Sequence, residues 1–352
     1  MKEKLFYFLF LMIFIFPISV VADSSKSSVV MDLDSGRVLY ENHVNDKRLI
    51  ASTTKIMTAI LAIEQGDLNR KITVGEEVLS MYGTNIYIEV GEKISMKDLL
   101  YGLLLRSGND ASVVIAKEVG GSEEKFVEMM NEKAKDIGMK NTIFKNPHGL
   151  DEETKNFSTA YDMALLSKYA FSNKLYRKIV KTQKYEVSTV KKTYLWYNRN
   201  QLLTDYKYCT GGKNGYTPSA GKTLVSTASK DDLNLTIVSL NDGDIYNNHE
   251  NLYENIFSEY HRYEIIDKND FHISAETSDK NFYLKESFYY PLTEQEVEKI
   301  RTVVHFFKQP SSDKTGVINI YLDNEKIGKL FIYTKEKKKE DFSFLRRLKE
   351  LI

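Results

Sequence analysis

The stretch Ala51-Ser52-Thr53-Thr54-Lys55-Ile56-Met57-Thr58 sets a serine and a lysine three positions apart, at the start of an apolar run that reaches Ile63. In a helix, residues i and i+3 share a face. Ser52 is then expected in the first turn, with the Lys55 amine beside its hydroxyl. A serine hydroxyl is a poor nucleophile until a base takes its proton. A buried lysine can be that base, because loss of water favours its neutral form. The positive end of the helix dipole favours negative charge developing at Ser52. Alone, the motif is ambiguous. Serine is a common N-cap and lysine a common helix residue, so Ser-x-x-Lys also occurs with no chemistry attached.

Upstream of this helix, Ser28 to Leu33 and Arg37 to Glu41 read as strands. The turn residues Asp34-Ser35-Gly36 join them into a hairpin. The helix is apolar on more than one face, which predicts burial, and it stops at Gly66-Asp67. Downstream, Ser95 with Asp98 is a capping-box pattern that opens a helix through Leu105. A break follows at Arg106-Ser107-Gly108-Asn109, then a helix from Asp110 to Val119. Ser122 caps a third helix, in which Phe126, Met130, Ala134 and Ile137 recur at helical spacing. Another runs from Thr159 to Ala170.

After Thr182 the period shortens. Tyr185 to Val190, Lys192 to Tyr197, Lys222 to Ala228 and Leu233 to Leu240 read as strands, and Ile245 to Tyr260 as a helix. Hairpin, helices, strands and a last helix predict an α/β (α+β) domain. One antiparallel sheet is built from both ends of the domain, with helices packed on it. From Glu264 the runs are short and strand-like, which predicts a small C-terminal β domain. The expected division is 1–22 leader, 23–262 main domain, 263–336 small β domain and 337–352 basic amphipathic tail.

The 352 residues carry 49 basic and 49 acidic side chains, so nothing in the charge predicts a nucleic-acid partner. The single cysteine, Cys209, excludes an intramolecular disulfide and a multi-cysteine zinc site. Six scattered histidines give no metal motif, and no cofactor is expected. Lys2 and Lys4 precede an apolar run from Leu5 to Val21, and Val20-Val21-Ala22 offers small residues for a peptidase. This predicts a secretory signal peptide cut after Ala22, with an uncleaved anchor as the alternative. The mature protein is then expected outside the cytoplasmic membrane.

Three short motifs occur in order: Ser52-Thr53-Thr54-Lys55, Ser107-Gly108-Asn109 and Lys213-Asn214-Gly215. The first opens a helix, the second sits in a helix break and the third enters a strand. Ser-Gly-Asn is also ordinary turn chemistry, and Asn-Gly is a strong hairpin signal. Order and context together match the signature of penicillin-binding proteins and class A β-lactamases. Over residues 25–262 the chain resembles the low-molecular-mass penicillin-binding proteins, the D-alanyl-D-alanine carboxypeptidases of serine peptidase family S11. The resemblance includes Met31-Asp32, Ser35 to Tyr40, Ala51 to Thr58, Leu104 to Ala111, Asn146 to Asp151 and Gly212 to Thr217.

That resemblance implies a β-lactamase/transpeptidase-like fold and a stem peptide ending in D-Ala-D-Ala as substrate, with β-lactams as covalent inhibitors. It implies Ser52 as nucleophile, Lys55 as base and Ser107 as proton relay to the leaving amine. Asn109 would hold the substrate backbone, and Lys213, Asn214 and Thr217 its terminal carboxylate, with Gly215 allowing close approach. Backbone N–H groups of Ser52 and Tyr216 would hold the oxyanion. Asn214 departs from the family's Lys-Thr-Gly. His148 is read as loop packing and Cys209 as a buried structural thiol. Two rivals stand beside this reading. One is a β-lactamase, although no segment offers its deacylating glutamate. The other is a non-catalytic muropeptide or β-lactam binder. The tail pairs Leu345, Leu348, Leu351 and Ile352 with Arg346, Arg347 and Lys349, which predicts a membrane-surface helix.

Overall fold

The computed structural model describes residues 23–271, 281–311 and 313–335; the expected leader and basic tail lie outside them. The central sheet has five antiparallel strands. β1 (Ser27–Asp32) and β2 (Val38–Asn42) are the expected hairpin. β3 (Cys209–Thr217), β4 (Gly221–Lys230) and β5 (Leu233–Leu240) come from the far end of the domain. The order across the sheet is β2-β1-β5-β4-β3, so β3 is an edge. Side chains alternate between faces along a strand. Val29, Met31, Val238 and Leu240 enter the core under the helices, whereas Val30, Leu235 and Ile237 enter the core on the opposite face. With both faces covered, apolar residues and small hydroxyl residues alternate without a polar face along the inner strands, as in Leu233–Leu240.

One face carries α1 (Lys55–Gln65), α2 (Met96–Tyr101), α3 (Asn109–Gly120), α4 (Glu123–Ile137), α5 (Ala160–Ser172) and α6 (Lys174–Lys181). The other face carries α7 (Ile245–Glu259). α1 is buried from Lys55 through Ala62, as its all-round apolar pattern predicts. The caps at Ser95 and Ser122 form as read: their hydroxyls accept the amides of Asp98 and Lys125.

Three local differences from the sequence reading matter. The helix opened by Ser95 is α only to Tyr101. Gly102–Arg106 then winds as a wider π turn, and Ser107 leaves it in the left-handed region at φ 65°. α6 has no counterpart in the sequence reading; Asn173 caps it by accepting the amides of Leu175 and Tyr176. The strand His261–Ile266 straddles the expected division at 262 and pairs with Phe288–Leu292. Sequence reading ends the preceding helix at Tyr260 and places no strand at this position.

The small C-terminal sheet has the order Asn281–Tyr283, Glu325–Lys335, Lys314–Leu322, Ile300–Ser311, over a core of Leu284, Ile318, Ile320, Leu330 and Ile332. Arg37 ties it to the main domain. Its guanidinium grips both oxygens of Glu296 (3.0 and 2.5 Å), donates to the Pro291 carbonyl and lies 5.4 Å from the ring centres of both Tyr260 and Tyr290. Among the described residues no helix is long and apolar enough to cross a membrane.

Candidate active site

Ser52 sits not in α1 itself but in a tight 3-10 turn, Ala51–Thr54, that feeds it. Ala51 takes a left-handed backbone at φ 45°, which is costly for a residue with a side chain and is held by its surroundings. Two glycines brace the turn from opposite sides. Gly149 has φ +88°, and a Cβ there would stand 1.9 Å from the Ala51 carbonyl oxygen. A Cβ on Gly215 would stand 2.8 Å from the Ser52 amide nitrogen. The loop at 149 and strand β3 therefore both touch the turn through backbone alone.

Lys55 begins α1 and is fully buried. Its Nζ lies 2.7 Å from Asn109 Oδ1, 2.6 Å from the His148 carbonyl and 3.0 Å from Ser52 Oγ. Burial is the main force holding this amine well below its usual range, followed by the charge of Lys213. Asp110 opposes the shift and Arg199 adds to it. A neutral amine has two N–H groups and one lone pair. Asn109 Oδ1 and the His148 carbonyl can only accept, so they take the two hydrogens. The lone pair is then left for Ser52, whose hydroxyl can donate to it.

Asn109 opens α3, and its Nδ2 donates to the Tyr82 carbonyl at 2.7 Å. The next residue, buried Asp110, accepts the amides of Ile86, Tyr87 and Ile88 at 2.9, 2.7 and 3.2 Å. The second motif is thereby strapped to the 82–88 loop. Ser107 is buried beside it. No described hydrogen bond links its hydroxyl to Ser52 or Lys55.

Lys213 comes from β3, is 1% exposed and donates to the Asn214 carbonyl at 2.6 Å. Burial first, then the charge of Arg199, pushes it down to about 7. Asn214 follows on the opposite side of the strand, where its amide meets the hydroxyl of Tyr246. Tyr216 is exposed and Gly215 is buried. The Thr217 hydroxyl, expected near a substrate carboxylate, is instead committed within the protein. It donates to Asp151 Oδ2 at 2.5 Å and accepts the Ala220 amide at 3.0 Å.

Sequence reading missed two groups. Arg199 acts on both buried lysines, and its Nη1 donates to Thr84 Oγ1 at 3.1 Å. Among the described residues no carboxylate pairs with it. No local pattern marks this arginine, because the fold alone brings it to the cleft. The other group is the His148 carbonyl. The segment Asn146 to Asp151 had been noted, but its contribution is a main-chain atom, which residue type does not disclose. The His148 ring does pack as a loop residue: burial, then the Lys55 charge, pushes it down to about 3, so it is neutral. Cys209 is buried, with its thiol pushed up to about 11, chiefly by burial. Among the described residues no three His, Cys, Asp or Glu side chains cluster to hold a metal.

Comparison with known proteins places this geometry. The model of the D-alanyl-D-alanine carboxypeptidase family, Peptidase_S11, matches residues 18–244. The D-alanyl-D-alanine carboxypeptidase DacF of Bacillus subtilis (strain 168) is 40% identical over 218 residues, covering 60% of this chain and 56% of that protein. DacC of Escherichia coli (strain K12), another D-alanyl-D-alanine carboxypeptidase, is 34% identical over 229 residues, covering 61% and 56%. The chain thus spans little more than half the length of these curated relatives. The crystal structure of the D-alanyl-D-alanine carboxypeptidase DacD from Francisella tularensis superposes with a TM-score of 0.69 at 25% identity, over 89% of this chain and 94% of that one. That overlap takes in both domains. The family model spans well over half of the chain, from before β1 to beyond β5, and so encloses all three motifs and both braces of the nucleophile turn. On that match the chain belongs to the D-alanyl-D-alanine carboxypeptidase family, serine peptidase family S11.

Proposed function

We propose that this protein is a serine D-Ala-D-Ala carboxypeptidase that trims the terminal D-alanine from peptidoglycan stem peptides outside the cytoplasmic membrane. One observation carries the reading. A fully buried Lys55, its amine held well below the usual range by burial, meets two fixed acceptors and faces Ser52 Oγ at 3.0 Å.

The chemistry follows from that arrangement. Ser52 Oγ attacks the carbonyl carbon of the penultimate D-alanine while its proton passes to Lys55 Nζ. The oxyanion is assigned to the Ser52 and Tyr216 amides, and the bare Gly215 lets its strand lie close to the Ser52 amide. The C–N bond then breaks. The departing nitrogen receives a proton by way of Ser107, and free D-alanine leaves an ester on Ser52. Water attacks that ester, gives its proton to the lysine side of the cleft and restores the Ser52 hydroxyl. Lys213, protonated when a carboxylate approaches, receives the substrate's terminal carboxylate, and Asn214 joins it only by turning its amide from Tyr246 toward the cleft. A β-lactam enters the same path but leaves a slowly hydrolysed ester. The leader and the basic amphipathic tail are the sequence features that support an extracytoplasmic, membrane-apposed location.

The test is mass spectrometry of the mature protein after penicillin, with the modified peptide mapped, alongside D-alanine release from diacetyl-Lys-D-Ala-D-Ala. An adduct on the peptide containing Ser52, with turnover of the peptide substrate, is the expected result. An adduct elsewhere, or none, overturns the proposal. Rapid penicillin release would favour the β-lactamase.

A further inference from the structure

The loop that carries His148 lies along one stripe of the nucleophile helix. Gly149 backs onto the Ala51 carbonyl. Asn156 Nδ2 donates to Thr54 Oγ1 at 3.0 Å, Lys55 Nζ meets the His148 carbonyl at 2.6 Å, and Thr58 Oγ1 donates to the Pro147 carbonyl at 2.6 Å. Spacings of three and four residues put positions 51, 54, 55 and 58 on one helical face.

The shape of the loop is held from within by Asn146 and Asn156, which are 1% and 2% exposed. Pro147 has no N–H, so the stretch between Asn146 and Leu150 offers only the amides of His148 and Gly149. Both donate to Asn146 Oδ1, at 3.3 and 2.6 Å. The Gly149 N–H and the His148 carbonyl belong to one planar peptide unit and point in opposite directions. Asn146 therefore grips one end of that unit while Lys55 meets the other. A bond donated at one end also polarises the unit and strengthens its oxygen as an acceptor. Asn146 is itself clasped. Asn156 Nδ2 lies 3.2 Å from its Oδ1 and 3.0 Å from its carbonyl, and Asn156 Oδ1 accepts the amides of Lys145 and Asn146 at 2.7 and 3.2 Å.

We propose that Asn146 and Asn156 are positioning residues for acylation: they aim the His148 carbonyl at Lys55 and so stabilise the ammonium that forms when Lys55 takes the Ser52 proton. The assignment rests on the serine-enzyme reading and adds to it the side chains that set the base. Hydrogen bonds to an ionised group are about twice as strong as neutral ones, so a carbonyl that swings away costs the ammonium more than the amine. Acylation then slows, and Lys55 sheds its proton more readily. The other groups facing Lys55 are Lys213 from β3, Asn109 and Asp110 from α3, and Arg199, with the His148 ring neutral. The variants below leave all of them in place.

The experiment follows acylation of the full mature chain by a fluorescent penicillin, using stopped flow across the acid and neutral range. In Asn146→Ala the first-order acylation constant at saturation should fall about tenfold, with the half-saturating concentration within about threefold of wild type. The acid limb of its pH profile should move about one unit lower. Asn156→Ala should act the same way more weakly. The double variant should be little slower than Asn146→Ala alone, because both residues act through one carbonyl. A first-order constant does not depend on how much of the protein is folded. Ser167→Ala, which loses a buried 2.8 Å bond to Thr236 outside this loop, measures destabilisation by itself. Thr54→Val removes the Asn156 contact at nearly constant shape; it serves where the alanine variants fail to fold, and should slow acylation about threefold. An Asn146→Ala rate within about threefold of wild type, a loss confined to half-saturation, an acid limb that moves upward, or equal slowing in Ser167→Ala overturns the positioning role. A wild-type chain that penicillin never acylates overturns the enzyme reading as well.

Discussion

On the helix side of the cleft, Lys55 Nζ is held by Asn109 and the His148 carbonyl, and Asn109 is held in turn by Tyr82. On the strand side, Lys213 donates to a single described acceptor, the carbonyl of its own neighbour. Asn214 stands where the family carries threonine, and Tyr216 points to solvent. One side fixes a base in a single pose, while the other is a charged edge strand with donors to offer. The contrast teaches that bond-making geometry is set by saturated contacts, and that recognition is left to groups with spare valence. Substitutions on the helix side should therefore act on kcat. Those on the strand side should act on KM and on pH dependence.

The largest effect should come from the helix side. Ser52→Ala is expected to abolish both penicillin labelling and D-alanine release. Lys55→Ala should lower kcat/KM by about 10²–10⁴-fold, the range of a lost general base. Stopped-flow acylation with a fluorescent penicillin checks both, and labelling that persists in Ser52→Ala would break the comparison outright.

The next effect concerns the brace. Gly149→Ala forces a left-handed backbone and drives a methyl group into the Ala51 carbonyl. It should cost on the order of 2–4 kcal/mol of stability. Urea denaturation with both wild type and variant measures it, and an unchanged midpoint would mean that the turn relaxes freely.

The strand side should show itself in pH. Lys213, pushed down to about 7, is charged below that value and neutral above it. Its attraction for a carboxylate is present at low pH and lost as pH rises. In the free enzyme kcat/KM should fall by roughly tenfold per unit above this point, unless another group takes over, and a peptide ending in an amide should lack that limb. The same shift touches folding. Between pH 7 and 10.5 the unfolded chain keeps a lysine proton that the folded chain has released, so this group makes stability rise with pH across that window. A carboxylate substrate with no limb near 7 would place its charge partner elsewhere, with Arg199 the first candidate.

The smallest effect is expected at the family departure. Asn214→Thr should change kcat/KM by no more than about threefold, because Lys213 and Gly215 are retained. A gain of tenfold or more would show that the natural residue is impaired on D-Ala-D-Ala, and would revive the binding-protein reading.

Much of this was legible because local chemistry announced it. Ser95 and Ser122 each cap the helix that their spacing predicts, and the inner strands of the central sheet show as short runs rich in Val, Leu, Ile, Ser and Thr. Ser52 and Lys55 meet because three residues of chain make them meet. The rest required tertiary contact. The tight turn at Ala51, the His148 carbonyl and Arg199 are positioned by segments far off in sequence. Thr217 is expected from the motif beside the substrate carboxylate, and nothing local reveals that its hydroxyl donates to Asp151.

Cys209 lies on the same strand as Lys213, four residues upstream, and is the chain's one thiol. Buried and held protonated, it is shielded from reagents that need an accessible thiolate. The protein therefore carries a silent chemical clock. A disulfide reagent should reach this sulfur faster when the edge strand opens, so its labelling rate is expected to follow the opening of the strand that carries Lys213. Comparing that rate with and without a bound β-lactam would turn strand breathing into a number, with no probe added to the molecule.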